Sequence, residues 1–243
     1  MTGRIALHGG GEFLPGDEAF LDALLDVARD AAGDRPGGIA GLVRVVVVPT
    51  AAARGRPDLA GSNGLAALQR RGEALAIPVW ADVVPVIDEA SADDPVLAES
   101  IGAADLIYLP GGDPDLIPTF LRGSATGRAM RDAHERGTVL AGASAGAMGL
   151  AAWTWTPGGG IPGLGFVPDI AVFPHYDESR RPSWQANIAR IAPADIGYLG
   201  LDERTGVISE RGTWNVAGEG AAYWFAPGLS EPITVHAGER LTF

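Results

Sequence analysis

The sequence predicts an α/β protein built on a three-layer, doubly wound and mostly parallel sheet with a C-terminal antiparallel extension. Apolar strand-like runs alternate with helical segments over the first 150 residues, which is typical of βαβ units. The run 43–48 is rich in valine, as expected for a parallel strand covered on both faces. From residue 197 onward short strands follow one another without helices, which favours antiparallel pairing at a sheet edge.

Periodicity places the individual elements. In segment 17–32, Phe20, Leu21, Leu24 and Leu25 recur at helical spacing, and acidic residues stand at its positive end. The other predicted helices are 64–75, 95–103, 116–121, 127–136 and 183–191. The predicted strands are 5–8, 43–48, 82–87, 105–109, 139–143, 170–173, 198–201, 205–209, 213–217, 221–225 and 233–235. Segments 50–62 and 153–160 are predicted loops.

Composition excludes several classes of function. The chain has 243 residues, 47% of them hydrophobic, which suits a single domain spanning 1–243. A net charge of −12 opposes nucleic-acid binding. The absence of cysteine removes thiolate nucleophiles, disulfides and Cys-based zinc sites. Since no signal peptide, membrane span or metal-ligand spacing is visible, we expect a cytoplasmic protein that needs no membrane, metal or cofactor and is a monomer or homodimer.

The stretch 139–150 has the pattern of a nucleophile elbow. A buried-strand run meets Ser144, which lies between Gly142 and Gly146, and a small-residue segment able to form a helix follows. Glycines on both sides leave room for a sharp turn that projects the serine hydroxyl above the sheet edge. An ordinary Gly/Ala strand-to-helix turn has the same pattern, so the elbow needs support from the rest of the chain.

A serine nucleophile requires a base and a group that orients the base. Of the four histidines, His175 stands at a predicted strand end downstream of Ser144 and is the best candidate base; the others are His8, His134 and His236. For the acid, Asp202 and Glu203 follow a predicted strand, and Asp177 is close to His175 in sequence.

An oxyanion hole requires two backbone N–H groups near the serine hydroxyl. Ala145 follows the nucleophile directly, and Gly112 lies in the loop that ends a neighbouring predicted strand. A tight turn before a helix explains the Gly111-Gly112 pair equally well.

Four segments, in this order along the chain, resemble the serine peptidase family of peptidase E (aspartyl dipeptidase) and cyanophycinase. They are Leu109-Pro110-Gly111-Gly112-Asp113, Gly142-Ala143-Ser144-Ala145-Gly146-Ala147, Pro174-His175-Tyr176-Asp177-Glu178 and Gly200-Leu201-Asp202-Glu203-Arg204-Thr205-Gly206. The opening segment 7–13 is also similar to members of this family, so the resemblance covers nearly the whole chain.

The resemblance implies a flavodoxin-like fold of the class I glutamine amidotransferase type, with serine in place of that group's cysteine. It further implies a Ser-His-Glu triad of Ser144, His175 and Glu203, with Gly112 and Ala145 N–H as the oxyanion hole. Asp177 is a rival for the third role, because amidotransferase relatives place their acid two residues after the histidine.

The substrate expected from these features is a small peptide. Pro114 replaces the glutamine of cyanophycinases, and Trp184-Gln185 occupies the region of a further arginine, which argues against cyanophycin as substrate. Arg180 or Arg181 is a candidate ligand of a substrate carboxylate, and the alternative is that both are solvated charges. Asp113 or Glu12 is a candidate ligand of a substrate ammonium group.

Three functional interpretations follow. The first is a serine exopeptidase or small-peptide hydrolase that acts through an acyl-enzyme, with Asp-containing dipeptides among its substrates. The second is a non-catalytic metabolite-binding or sensory domain, which would be favoured if His175 lay beyond hydrogen-bonding reach of Ser144. The third is an α/β-hydrolase esterase, which would use a late histidine, here His236, as the base.

Overall fold

The computed structural model describes residues 2–33, 41–156, 158–191, 193 and 195–242. The strands are β1 Ile5–His8, β2 Val43–Val47, β3 Val79–Val83, β4 Leu106–Leu109, β5 Val139–Ala143, β6 Ala151–Thr156, β7 Gly159–Pro162, β8 Val167–Phe173, β9 Gly197–Leu201, β10 Thr205–Glu210, β11 Thr213–Gly218, β12 Ala221–Phe225, β13 Ile233–His236 and β14 Arg240–Leu241. The α-helices are α1 Glu18–Gly33, α2 Pro57–Leu75, α3 Glu89–Ala92, α4 Pro95–Gly102, α5 Leu116–Leu121, α6 Ala125–Glu135, α7 Ala145–Leu150 and α8 Arg181–Ile191.

The first sheet contains eight strands in the order β14-β11-β10-β1-β5-β4-β2-β3. The five strands from β1 to β3 in this order run parallel to one another, and β10, β11 and β14 continue the sheet antiparallel beyond β1. Strand β5 therefore lies between β1 and β4, and the carboxyl ends of the three strands lie side by side. In α/β sheets, ligands bind at the carboxyl edge.

Helices cover both faces of the first sheet because its strands are apolar on both sides. Val45 and Val47 face one core together with Phe20 and Leu24 of α1, whereas Val46 faces the other core. The second core also contains buried residues of α4 to α7 and of the second sheet. This three-layer arrangement confirms the predicted fold class.

The second sheet contains six strands in the order β13-β12-β9-β8-β6-β7. Strands β6, β8 and β9 are parallel, and β7, β12 and β13 pair antiparallel at the two sides. Phe173 at the end of β8 is in register with Gly200 near the end of β9. The segments that follow these two strands therefore leave the sheet side by side.

Four predictions differ from the structure. Segment 153–160, predicted as a loop, lies largely in the β6–β7 hairpin, in which Trp153 pairs with Pro162 and Trp155 with Gly160. The strand predicted at 82–87 is instead β3, Val79–Val83. The predicted loop 50–62 contains the first turns of α2, which has proline at its amino end. The C-terminal strands, predicted at one edge, are divided between the two sheets.

In the part of the chain that the structure describes, none of the helices combines the length and apolar character that a membrane crossing requires. Among the same residues, no group of three or more His, Asp or Glu side chains is arranged to hold a metal ion.

Candidate active site

Ser144 sits at the sharp turn between β5 and α7. Its φ of 50° and ψ of −115° lie in a region that side-chain-bearing residues rarely adopt, and such strain is typical of functional turns. The flanking glycines are required by packing: a Cβ on Gly142 would lie 2.5 Å from the carbonyl carbon of Gly146, and one on Gly146 would lie 2.0 Å from the carbonyl oxygen of Leu109. The turn is therefore sharp, strained at Ser144 and free of side chains at both flanking positions.

His175 is the histidine that contacts Ser144. Its Nε2 lies 3.0 Å from Ser144 Oγ, within hydrogen-bonding reach. His134 lies on α6 with Nδ1 3.3 Å from the carbonyl oxygen of Thr138, and burial lowers its pKa below the ordinary value. His236 ends β13 on the exposed side of the second sheet.

Glu203 is the carboxylate that contacts His175, with Oε1 2.6 Å from Nδ1. Asp177 instead accepts hydrogen bonds from Ser179 and from the backbone N–H of Arg180. The Ser179 hydroxyl, the largest influence, lowers the pKa of Asp177 below its usual value. Asp202 Oδ2 accepts the N–H of Ala221 at 3.0 Å. Of the three acids considered from sequence, only Glu203 is therefore placed to orient the imidazole.

The three side chains come from two sheets. Ser144 follows β5 of the first sheet, whereas His175 follows β8 and Glu203 follows β9 of the second sheet. The register of β8 with β9 brings the last two together, and the direct passage from β9 to β10 joins the carboxyl edges of the two sheets. The strand ends that these residues follow therefore belong to two sheets, whereas the sequence predicted one mostly parallel sheet with an antiparallel extension.

The glycine loop, residues 9–13, follows β1 of the first sheet and contacts the segments that follow β8 and β9 of the second. The carbonyl oxygen of Gly9 accepts the backbone N–H of His175 at 2.7 Å, and that of Gly10 accepts the N–H of Arg204 at 2.8 Å. A Cβ on Gly10 would lie 2.3 Å from Cε1 of the His175 ring, and one on Gly11 would lie 3.3 Å from Oε2 of Glu203. The backbone of this loop therefore approaches the candidate base and acid closely.

Gly10 is thus a site residue that the sequence analysis did not single out. Its φ of 103° and its contact with the imidazole both exclude a side chain. The three consecutive glycines were the available signal. His175, whose ring Gly10 approaches, lies 165 positions further along the chain. Only the fold brings them together.

Gly112 N–H and Ala145 N–H are the two groups expected to form an oxyanion hole. Neither donates a hydrogen bond to any of the described residues. The neighbouring Gly111 N–H donates to Glu12 Oε1 at 2.8 Å. The Gly111-Gly112 turn is held against Ala51, whose carbonyl oxygen accepts the N–H of Asp113 at 2.7 Å.

Glu12 is the substrate-binding candidate nearest the nucleophile. A Cβ built on Gly111 would lie 2.9 Å from Glu12 Oε1 and 3.1 Å from Cβ of Ser144, so the carboxylate and the serine flank the same glycine. Asp113 lies farther out, about half exposed, with Oδ2 3.8 Å from the Arg54 guanidinium. Arg54 is held mainly by Asp115, whose pKa it lowers.

The two arginine candidates differ in their surroundings. Arg181 donates to the carbonyl oxygen of Tyr176 at 2.9 Å and to the Tyr223 hydroxyl, and its guanidinium lies 4.3 Å from the centre of the Tyr223 ring. It also lies 3.5 Å from Asp202. Arg180 is exposed. The donors of Arg181 are thus engaged within the protein, and Arg180 is the more accessible cation.

The arrangement can carry out proton transfer from a serine to a histidine. The His175 and Glu203 side chains are 23% and 35% exposed, so the constellation is open to solutes. Nδ1 lies against a carboxylate and therefore carries the imidazole proton, which leaves Nε2 to accept the Ser144 proton. A hydroxyl, a base and an orienting acid in this order form the constellation used for nucleophilic attack on carbonyls.

Comparison with known proteins identifies the family. The family model of Peptidase family S51 matches residues 43–216, which include Ser144, His175 and Glu203. The chain belongs to peptidase family S51. Family membership makes it a serine peptidase, in agreement with the resemblance of the four sequence segments to peptidase E and its relatives.

Two solved structures share the fold. A peptidase from an acI-B1 Actinobacterium is 26% identical, with a TM-score of 0.81 over 100% of this chain and 98% of that one. A candidate peptidase E protein from Listeria monocytogenes EGD-e is 14% identical, with a TM-score of 0.58 over 90% of this chain and 98% of that one, and this likeness concerns the fold alone. No curated protein sequence gives a significant match.

Proposed function

We propose that the chain is a serine exopeptidase that hydrolyses short peptides through an acyl-enzyme, with Ser144 as nucleophile, His175 as general base and Glu203 as the orienting acid. The observation that carries the proposal is the unbroken hydrogen-bond chain at the strained turn, 3.0 Å from Ser144 to His175 and 2.6 Å from His175 to Glu203. Asp-containing dipeptides are the first substrates to examine.

In the proposed reaction Ser144 Oγ attacks the scissile carbonyl carbon while His175 Nε2 takes its proton. Glu203 stabilises the resulting imidazolium, and Gly112 and Ala145 N–H receive the negative oxygen of the tetrahedral intermediate. The intermediate collapses when His175 gives the proton to the leaving amine, so the C–N bond breaks and a seryl ester remains. Water, deprotonated by His175, then releases the acid and restores Ser144.

Glu12 supports the exopeptidase form of the proposal. Its carboxylate lies beside the nucleophile and has one oxygen on Gly111 N–H. A negative charge at this position disfavours an anionic intermediate unless the substrate supplies a cation, and a free peptide amino group is such a cation. Glu12 is therefore proposed to bind the substrate ammonium, ahead of Asp113, whose charge is shared with Arg54.

Arg180 is proposed to bind a substrate carboxylate. An exposed guanidinium that follows His175 by five residues matches an acidic side chain or a free C-terminus, which it can contact through two hydrogen bonds. Arg181 contributes by holding Tyr223 and Asp202 in place.

A panel of peptides tests the function. Purified protein is incubated with Asp-X, Glu-X and isoaspartyl dipeptides, with an aminoacyl p-nitroanilide, and with the N-acetylated form of each, and free amine is quantified. The proposal expects free dipeptides to be cleaved at least about tenfold faster than their N-acetylated forms, whose slow cleavage remains measurable. Cleavage confined to acetylated or internal bonds would contradict an exopeptidase.

Replacement of Glu12 tests the ammonium site. We expect Glu12→Gln to lower kcat/KM for a free dipeptide about 10- to 100-fold, because a charge-assisted hydrogen bond contributes about 1.5–3 kcal/mol. The amide keeps an oxygen for Gly111 N–H, so the N-acetylated substrate serves as the matched control and should be cleaved no more slowly than by the parent protein. Equal losses on both substrates would remove Glu12 from ammonium binding.

A non-catalytic metabolite-binding domain would be favoured if His175 lay beyond hydrogen-bonding reach of Ser144. The 3.0 Å contact between Ser144 and His175 does not favour that alternative. The esterase alternative would require the His236 side chain to lie at Ser144. His236 is instead the last residue of β13, where its backbone N–H donates to Glu239 Oε2.

A further inference from the structure

A buried His–Asp pair lies directly beneath the glycine loop and takes no part in the proposed proton transfers. Nε2 of His8 lies 2.9 Å from Oδ1 of Asp17, and the side chains are 0% and 1% exposed. His8 is the last residue of β1, and Asp17 immediately precedes α1. The imidazole is further enclosed by Phe20, whose ring centre is 4.5 Å from its own.

The hydrogen bond that His8 accepts indicates its tautomer. Nδ1 accepts the backbone N–H of Gly10 at 3.2 Å, so Nδ1 carries no proton. The ring proton is consequently on Nε2, which faces Oδ1 of Asp17 at 2.9 Å. His8 thus links one end of the glycine loop to a buried carboxylate.

Asp17 holds the other end of the same loop. Its Oδ2 accepts the backbone N–H of Phe13 at 2.8 Å, while Oδ1 faces His8. The pair therefore fixes the loop at Gly10 and at Phe13, on either side of Gly11 and Glu12. The position directly before α1 also favours a negative charge.

The loop held in this way is the one that contacts the candidate triad. Gly9 accepts the N–H of His175, Gly10 packs on its ring, and Gly11 lies beside the carboxylate of Glu203. Glu12 continues from there to Gly111 N–H, next to Ser144. The loop thus contacts His175 and lies beside Glu203, and Glu12 reaches the glycine next to Ser144.

Stability alone does not account for a fully buried imidazole beside a carboxylate. Removing a carboxylate from water costs several kcal/mol, and an apolar pair of similar volume often stabilises a fold as well or better. The same pair does supply two acceptors for backbone N–H groups at set positions, which apolar side chains do not. A shift of about 1 Å in a catalytic group can cost about 100-fold in rate.

We propose that His8 and Asp17 are positioning residues that hold the glycine loop against His175 and Glu203 and so set the geometry of the triad. The inference rests on the proposed function. It assigns to His8 a role through Gly10 N–H and to Asp17 a role through Phe13 N–H, separate from any contact with substrate.

Two substitutions of His8 separate positioning from stability. In His8→Gln the terminal amide reaches Asp17 as Nε2 does but offers no acceptor at the position of Nδ1. The carboxylate then keeps a polar neighbour, and the hydrogen bond from Gly10 N–H is lost. In His8→Asn the amide oxygen lies near the position of Nδ1, so the hydrogen bond from Gly10 N–H is kept while Asp17 loses its polar neighbour. We expect His8→Gln to have the higher Tm and His8→Asn the higher kcat.

The two His8 variants are expected to differ clearly in kcat. His8→Gln should lower kcat on the best dipeptide at least about tenfold with little change in KM, and His8→Asn should remain within about threefold of the parent protein. All variants are measured at a temperature where circular dichroism shows them folded. Asp105→Asn is the matched control: Asp105 is equally buried and accepts the N–H of Arg44 at 2.8 Å, but it precedes β4 at the opposite edge of the sheet.

Activity that simply follows Tm across His8→Gln, His8→Asn and Asp105→Asn would overturn the proposal, as would a kcat of His8→Gln within threefold of the parent value. If His8→Asn does not fold, the comparison of His8→Gln with Asp105→Asn decides in the same way. Ser144→Ala, assayed in parallel, distinguishes the two levels: undiminished hydrolysis there contradicts the proposed function, whereas a loss there with active His8→Gln contradicts only the positioning role.

Discussion

Replacement of Ser144 by alanine is expected to lower kcat for dipeptide hydrolysis by about 10⁴- to 10⁶-fold. Removing Oγ leaves His175 without a proton to accept and leaves no atom to form the acyl-enzyme. Binding groups and backbone N–H donors stay in place, so KM or the inhibition constant of a product should change little. Alanine also fits the turn sterically, since both residues place a Cβ on the backbone with φ of 50° and alanine lacks only Oγ.

The controls for this variant concern folding and contamination. Its circular dichroism spectrum and Tm should match those of the parent protein, and the residual activity should not vary between preparations. A Ser144→Ala protein that turns over at more than a tenth of the parent rate would contradict the role of Ser144.

Replacement of Glu203 by glutamine is expected to lower kcat by about 10²- to 10⁴-fold. Glutamine keeps the size of the side chain but its amide cannot stabilise the imidazolium, and with nitrogen toward His175 it favours the wrong tautomer. The hydrogen bond of 2.6 Å from Nδ1 to Oε1 is the contact that the substitution alters.

Asp177→Asn is the matched control for Glu203, because both acids were candidates for the third role and Asp177 lies only two residues from His175. Its carboxylate accepts from Ser179 and Arg180. We expect kcat of Asp177→Asn to stay within about threefold of the parent value, as for a partly exposed residue that does not contact the imidazole. A larger loss in Asp177→Asn than in Glu203→Gln would reverse the assignment.

Local sequence was sufficient for the features that depend on local chemistry. The valine run of β2, the helical period of α1 and the glycines around Ser144 each indicate one element, and the structure contains all three. The order of strand ends along the chain also indicated Ser144, His175 and Glu203 together. The choice between Glu203, Asp177 and Asp202 was beyond the sequence, because it depends on which carboxylate the register of β8 with β9 turns toward Nδ1.

Features that depend on how strands pair were missed. The β6–β7 hairpin contains Gly158, Gly159 and Gly160, which favoured a loop; there Trp153 covers Gly160. The separation of the C-terminal strands into two sheets also depends on partners distant in sequence. His8 and Asp17 were each considered separately, since nothing in the sequence links a strand-end histidine to a helix-start aspartate nine positions later.

The most direct test of the central claim is to locate the adduct formed by a fluorophosphonate, which reacts with activated serines. The protein is treated with the reagent and analysed by intact mass spectrometry, followed by peptide mapping. The account predicts one adduct per chain, on Ser144, formed at a rate greatly reduced in His175→Ala. An adduct on another residue, or peptide hydrolysis by protein that carries no adduct after exhaustive treatment, would contradict it.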